Sequence, residues 1–111
     1  MPTRPDEQDG TLVVPKPQVK RDRVLERVRR YHIVFYNDAY TTKWFVVDVL
    51  MRFFYLTEAS ATAFMLVVHE TGRGVVGSYT RDVAETKAAE VLEYAKEWGM
   101  PLRLDIEPEE D

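Results

Sequence analysis

Hydrophobic and polar positions follow two kinds of spacing along residues 31–106, and together they predict six elements. Short runs rich in β-branched and aromatic residues are typical of strands, and apolar rows at intervals of three and four residues are typical of helices. The predicted order is β-α-α-β-α-β, with strands at 31–36, 75–79 and 102–106 and helices that begin after Thr42, Thr57 and Thr80. These elements predict an α+β fold, a compact sandwich in which a three-stranded sheet carries three helices on one face.

The three predicted helices differ in how much of their surface is apolar. The first has two apolar rows, so two of its sides need to be covered by other elements: Phe45/Val49/Phe53 and Val46/Leu50/Phe54. The second ends near Glu70, before a glycine-rich turn. The third, capped by Thr80 with Asp82, ends before Gly99 and has one inward row: Ala84, Ala88, Val91, Ala95 and Trp98.

Aromatic residues and prolines divide the chain into parts. All 13 aromatics lie between Tyr31 and Trp98, whereas residues 1–30 contain none and hold four of the six prolines. The sequence therefore predicts a flexible N-terminal extension over 1–30, a core domain over 31–107 and an acidic end over 108–111. Residues 21–30 have the spacing of a short charged helix. The extension carries a net charge of +3 and the remainder −7.

Composition excludes several classes of function. An acidic domain without a concentrated basic face argues against binding to nucleic acid. The longest apolar run, around Phe45–Phe54, is interrupted by Asp48 and Arg52, so we expect no membrane span. The absence of cysteine and of a visible signal peptide favours a cytoplasmic protein. We expect a monomer.

Three motifs contain residue types found in catalytic or cofactor sites but lack the context that such sites need. Gly72–Gly77 matches G-x-G-x-x-G, but a helix precedes it and a strand follows, which is the reverse of a dinucleotide site. His32 and His69 have no metal-ligand spacing. Neither Ser60 nor Ser78 sits in a nucleophile elbow. The sequence therefore predicts no metal, no cofactor and no enzymatic activity.

Polar acceptors and apolar side chains meet in two segments that suit a ligand. Asn37 and Asp38 close a strand, and Met65, Val68 and His69 share one helix face at i, i+3, i+4 spacing. Taken alone, Asn37 and Asp38 are common turn formers, and His69 is a common helix-end residue. Together, an amide oxygen, a carboxylate and a neutral imidazole are acceptors suited to a primary ammonium. An ammonium beside apolar Val46, Met65 and Val68 describes the N-terminus of a peptide with a bulky hydrophobic first residue.

Five motifs carry a resemblance to a known family over about residues 31–107. They occur in order and without a gap: Asn37-Asp38-x-Tyr40-Thr41, Phe45-Val46-Val47-Asp48-Val49-Leu50, Met65-Leu66-x-Val68-His69, Val83-Ala84-Glu85-Thr86-Lys87 and Pro101-Leu102. In these the chain resembles ClpS, the adaptor of AAA+ Clp proteases that recognises N-end-rule degradation signals, or N-degrons.

The resemblance implies a role for each matching position. It assigns Asn37, Asp38 and His69 to the substrate's α-amino group and places the side-chain pocket at Ala39, Thr41, Lys43, Val46, Met65, Val68 and Leu102. It assigns Asp82, Glu85 and Lys87 to docking on the N-terminal domain of a Clp ATPase of the ClpA or ClpC type. The implied function is delivery of proteins that begin with Phe, Tyr, Trp or Leu for degradation, with the extension taking part in delivery.

The chain departs from the family pattern Asn-Asp-Asp-x-Thr-Pro-Met-Glu-Phe at four positions: Ala39, Thr42, Lys43 and Trp44. Lys43 replaces a methionine that by resemblance excludes β-branched first residues, and Ala39 removes a carboxylate and widens the rim. We expect a shifted ranking of first residues. The alternative is a paralogue that docks on the ATPase as a modulator and has altered or lost degron binding.

Overall fold

The computed structural model describes residues 29–110, and its six elements follow the predicted order. The elements are β1 (Arg30–Tyr36), α1 (Lys43–Phe54), α2 (Glu58–Thr71), β2 (Arg73–Thr80), α3 (Arg81–Glu97) and β3 (Arg103–Pro108). The prediction of an α+β fold is thereby confirmed. The predicted extension, with its charged helix, lies outside the described residues except for Arg29 and Arg30, and Arg30 is already the first residue of β1.

β1 is the central strand of the sheet, whose order is β2-β1-β3, and it pairs antiparallel with both neighbours. Side chains alternate across the strand. Ile33 and Phe35 face the helices and are fully buried in the hydrophobic core. His32, Val34 and Tyr36 therefore lie on the opposite face of the sheet, which no helix within residues 29–110 covers and which we call the helix-free face.

The helices begin where local hydrogen bonds favour them. The Thr42 hydroxyl accepts a hydrogen bond from the Phe45 N–H at 3.3 Å, and the Thr57 hydroxyl accepts one from the Ser60 N–H at 3.1 Å, so each threonine caps the helix that was predicted to begin after it. Thr80 occupies the N-cap position of α3 but makes no side-chain capping bond. The predicted capping contact there is therefore wrong.

Tyr94 joins α3 to α1. Its ring stacks on Phe45 with centroids 5.5 Å apart, and its hydroxyl donates a hydrogen bond of 2.6 Å to Asp48 Oδ2. That hydrogen bond, followed by burial and by the charge of Asp48, raises the pKa of the Tyr94 phenol. These contacts of Tyr94 fix α1, which carries part of the candidate site, against α3.

Two sequence predictions differ from the structure. The apolar row of α3 predicts an inward Trp98, but this residue is 53% exposed, because the helix ends at Glu97 and the indole packs on Trp44 at 6.1 Å. All three strands are also longer than predicted, and β1 begins at Arg30. β2 starts at Arg73, and β3 reaches Pro108, because antiparallel pairing with β1 continues to both ends of that strand.

Within residues 29–110, no helix is both long and apolar enough to cross a membrane. The same residues contain no group of three or more His, Asp or Glu side chains placed to hold a metal ion.

Candidate functional site

A cavity of about 410 Å³ lies where the end of β1, the start of α1, the end of α2 and the residue before β3 meet. This volume falls within the range of small-ligand sites, about 300–1,000 Å³. Every residue predicted for the amino group and for the side-chain pocket lines it. The lining consists of Phe35, Tyr36, Asn37, Asp38, Ala39, Thr41, Thr42, Lys43, Val46, Met65, Val68, His69 and Leu102.

The loop between β1 and α1 is held by hydrogen bonds to its own backbone and to the end of α2. The Asn37 N–H donates to the Gly72 carbonyl at 3.0 Å, which fixes Asn37 beside the C-terminal end of α2. Asp38 Oδ2 accepts from the Tyr40 N–H at 3.1 Å and from the Thr41 hydroxyl at 2.9 Å, which forms an Asx turn. The turn function predicted for Asp38 is therefore confirmed, whereas Asn37 is held through its backbone N–H, and both residues line the cavity.

The second oxygen of the Asp38 carboxylate, Oδ1, accepts no hydrogen bond from any other residue in the described part of the chain. A carboxylate has room for about four hydrogen bonds over its two oxygens. Asp38 thus combines a fixed orientation with free acceptor capacity at the cavity.

The last two turns of α2 contribute a polar group and two apolar groups. Met65 and Val68 are buried, and His69, next to Val68, is exposed, yet all three reach the cavity. α2 ends at Gly72, whose φ of 98° is left-handed and whose N–H donates to the Val68 carbonyl at 2.9 Å. His69 thus lies three residues before Gly72, whose carbonyl anchors Asn37.

The apolar wall is rigid because its residues belong to the packed core. Phe35 is 1% exposed, and its ring meets the edges of Phe54 and Phe64 at centroid distances of 5.8 Å. Leu102 is buried on the side of the cavity towards β3. An interior that is apolar and preformed loses little free energy to ordering when it receives an apolar side chain.

Two of the four departures from the family pattern, Ala39 and Lys43, lie at the exposed rim of the cavity. Ala39 is exposed and lines the cavity, and its methyl group is smaller than the Asp of the family pattern. Lys43 is the first residue of α1 and is exposed, and its ammonium makes no ion pair or hydrogen bond within the described residues. Its aliphatic stem is available to the cavity, and its ammonium is available to solvent.

Sequence reasoning missed three lining residues: Phe35, Tyr36 and Thr42. Their signals are present in the sequence, since Phe35 lies in the predicted buried strand, Tyr36 immediately precedes Asn37, and Thr42 is a predicted cap. Tyr36 also belongs to a cluster on the helix-free face. Its hydroxyl donates to the Glu107 carboxylate, and that bond, followed by burial and by the Glu107 charge, raises the pKa of the phenol.

The three predicted docking residues lie on α3, outside the cavity, and their surroundings differ. Asp82 is exposed in the first turn, and Glu85 is exposed and pairs with Arg81 at 3.1 Å. Lys87 is half-buried because its ammonium donates to the Phe53 carbonyl at 2.9 Å and lies 5.4 Å from the ring centre of Tyr55. Lys87 thus lies on the α3 surface, and its ammonium is hydrogen-bonded to α1.

Comparison with known proteins gives concordant results. The family described as ATP-dependent Clp protease adaptor protein ClpS matches residues 26–105. The ATP-dependent Clp protease adapter protein ClpS of Hydrogenovibrio crunogenus is 44% identical over 108 residues, which cover 96% of this chain and 98% of that protein. The protein of the same name from Deinococcus radiodurans is 41% identical over 110 residues, covering 99% and 92% respectively.

A solved structure agrees with the sequence comparisons. The structure of Agrobacterium tumefaciens ClpS2 bound to L-phenylalaninamide superposes with a TM-score of 0.72 at 40% identity, covering 75% of this chain and all of that one. The family match extends over most of the chain, and the relatives match at 41–44% identity over nearly all of it. The chain therefore belongs to the ClpS family of ATP-dependent Clp protease adaptor proteins.

Proposed function

We propose that the cavity holds the N-terminal residue of a peptide and that the chain presents such peptides to a Clp ATPase for degradation. The observation that carries the proposal is that one cavity combines hydrogen-bond acceptors with an apolar wall. Acceptors of Asn37, Asp38 and His69 stand beside the buried apolar wall of Phe35 and Leu102. An α-amino group has three donors and a positive charge, and a hydrophobic first side chain fits the wall. L-phenylalaninamide, to which the Agrobacterium relative is bound, has both groups.

The expected affinity is modest. Two or three charge-assisted hydrogen bonds contribute about 1.5–3 kcal/mol each, and one buried side chain contributes about 1.5–3 kcal/mol. Association costs at least about 4 kcal/mol. The upper ends of these ranges leave about 8 kcal/mol, which corresponds to a dissociation constant of about 1 μM. Binding at this strength suits a protein that has to pass its ligand on.

The bound first residues proposed are Phe, Tyr, Trp and Leu, with a ranking altered by the rim. Lys43 places a charged side chain where the family pattern has an apolar methionine, and Ala39 leaves the rim open. Both changes relax the exclusion of β-branched first residues. Ile and Val peptides are therefore expected to bind more tightly than they would to a site with a closed rim. The chain acts without cleaving its ligand and remains in the cytoplasm as a monomer.

The proposed contact with the ATPase uses the α3 surface around Asp82, Glu85 and Lys87 and the N-terminal domain of a ClpA- or ClpC-like partner. Asp82 and Glu85 are exposed there, which supports this assignment. Lys87 would act partly by positioning, because its ammonium is held by the Phe53 carbonyl. The N-terminal extension, residues 1–30, is proposed to take part in delivery.

Fluorescence anisotropy with labelled peptides that differ only at residue one tests the proposal. The panel is Phe, Tyr, Trp, Leu, Ile, Val, Ala and Arg, and mass spectrometry of each mixture checks that the peptide stays intact. Selective binding of the bulky hydrophobic members without cleavage supports a degron adaptor. Equal affinity for Val and Leu peptides would contradict a retained preference, and absence of binding across the panel would favour the docking-only modulator.

A further inference from the structure

Three strand ends meet beside the cavity and present their side chains on the helix-free face of the sheet. Tyr36 pairs with Arg73 of β2 and with Arg103 of β3, so the three residues are direct cross-strand neighbours. The Tyr36 ring lies between the two guanidinium groups, with its centroid 5.7 Å from the Cζ of Arg73 and 5.3 Å from that of Arg103. Stacking of this kind holds the guanidinium groups at the cavity end of the sheet.

The two guanidinium groups differ in their ion pairing. Arg73 forms an ion pair of 2.8 Å with Glu107, the same carboxylate that accepts the Tyr36 hydroxyl. Arg103 forms no ion pair and donates no side-chain hydrogen bond within residues 29–110. Asp105, two residues along β3 on the same face, accepts a hydrogen bond from the backbone N–H of Ile106. Arg103 is therefore an exposed cation that is oriented but not paired in the described part of the chain.

The position of Arg103 relates it to a peptide in the cavity. Tyr36 lines the cavity and precedes Asn37, and Leu102 lines the cavity and precedes Arg103. Neighbouring strands are about 4.8 Å apart, and an extended peptide advances about 3.3 Å per residue. A peptide whose amino group lies at Asn37 thus brings its second or third side chain within reach of the Arg103 guanidinium when it leaves the cavity over this edge of the sheet.

We infer that Arg103 is a specificity-determining residue that favours an acidic side chain at the second or third position of the bound peptide. This inference rests on the proposed function. An exposed ion pair is expected to strengthen binding roughly two- to fivefold, and the gain shrinks in about 0.5 M salt. Glu107 opposes this preference, because its carboxylate shares the cluster and would repel an acidic ligand.

The test compares labelled peptides that begin with Phe and carry either Glu or Gln at positions two and three, measured by anisotropy at low and high salt. The proteins are the wild type, Arg103→Gln, Glu107→Gln and the control Arg81→Gln. Arg81 is also an exposed arginine, but it lies at the start of α3, outside the cavity lining. The amide in Glu107→Gln still accepts the Tyr36 hydroxyl, so this variant removes the charge and retains the hydrogen bond.

The wild type and Arg81→Gln are expected to bind the Glu peptides two- to fivefold more tightly than the Gln peptides at low salt. Arg103→Gln should abolish this ratio and leave the affinity of the Gln peptides unchanged, and Glu107→Gln should increase the ratio. A ratio of one in the wild type, or a ratio that survives Arg103→Gln, overturns the inference. If the Phe-first peptides still bind in that case, only the inference fails. If no peptide binds, the proposed function fails with it.

Discussion

Gly74→Ala is predicted to damage the cavity from behind, through the core. Gly74 lies on β2 opposite Phe35, and a Cβ atom there would stand 2.9 Å from Val68 Cγ2 and 3.0 Å from Phe64 Cζ. Both distances are shorter than ordinary van der Waals contact, so Val68 and the Phe64 ring have to move. Val68 lines the cavity, and Phe64 packs edge-on against Phe35, which also lines it. The substitution therefore forces movement in the cavity wall.

The size of the effect follows from overpacking. Added methyl groups in a packed core cost about 1–3 kcal/mol. For a domain of this size each kcal/mol lowers the melting temperature by about 4–8 °C, so Gly74→Ala should melt at least about 4 °C below the wild type. Displacement of Val68 towards the cavity should also weaken binding of a Phe-first peptide by about threefold or more, because a buried side chain of about 1.5–3 kcal/mol loses part of its fit.

Gly77→Ala is the matched control on the same strand. A Cβ atom at Gly77 would stand 2.6 Å from the Tyr79 hydroxyl oxygen and 2.9 Å from Tyr79 Cζ, and Tyr79 does not line the cavity. Both variants are therefore expected to lose thermal stability in a melting experiment, and only Gly74→Ala should lose peptide affinity in an anisotropy titration. Unchanged affinity in Gly74→Ala, or equal losses of affinity in the two variants, would refute this reasoning.

Three further predictions concern the rim, the amino-group site and the α1–α3 contact. Lys43→Met should raise the Leu-over-Val affinity ratio by about threefold or more, because an uncharged apolar side chain at the rim packs against the ligand and excludes β-branched residues; an unchanged ratio in the anisotropy panel would remove Lys43 from this role. His69→Leu, which removes the imidazole acceptor, should weaken Phe-peptide binding by about tenfold or more, because a charge-assisted hydrogen bond of about 1.5–3 kcal/mol is lost; unchanged affinity in the anisotropy titration would remove His69 from the amino-group site. Tyr94→Phe should lower the free energy of unfolding by about 1 kcal/mol at about pH 8. Because the Tyr94 pKa is raised, the difference between Tyr94→Phe and the wild type should shrink as pH rises above about 10; urea titrations in which it stays constant would contradict the cause assigned to the shift.

The order of elements was predictable because its signals are local. Thr42 and Thr57 precede apolar rows at helical spacing, and both cap helices in the structure. The glycine-rich turn at Gly72 separates a helix from a strand, as the order of patterns indicated. Such features depend on neighbours within about four residues, which a sequence displays directly.

Features that depend on distant pairing were less predictable. Trp98 follows the apolar row of α3 but lies beyond the last helical residue, so its ring packs on Trp44 at the surface. The Tyr36 cluster requires the register of three strands, which brings residues 36, 73 and 103 together. No spacing in the sequence indicates the hydrogen bond of Lys87 to the Phe53 carbonyl, since the two residues lie on different helices and are 34 positions apart.

The candidate site lies between these cases. The pattern of acceptors and apolar residues brought together Asn37, Asp38, Val46, Met65, Val68 and His69, and the resemblance added Ala39, Thr41, Lys43 and Leu102. The structure places all ten predicted binding residues around one cavity. Their individual roles stay predictions. Phe35 and Tyr36 were missed because a strand pattern assigns them to core and surface but does not reveal that the strand ends at a cavity.

The central claim is that the cavity recognises a free α-amino group together with a hydrophobic first side chain. The most direct measurement is a pair of anisotropy titrations with one labelled Phe-first peptide, its amino terminus free in one sample and acetylated in the other. We predict binding near the micromolar range for the free peptide and at least about a hundredfold weaker binding after acetylation, since the charge and two or more hydrogen bonds are lost. Equal binding of the two peptides would contradict the central claim.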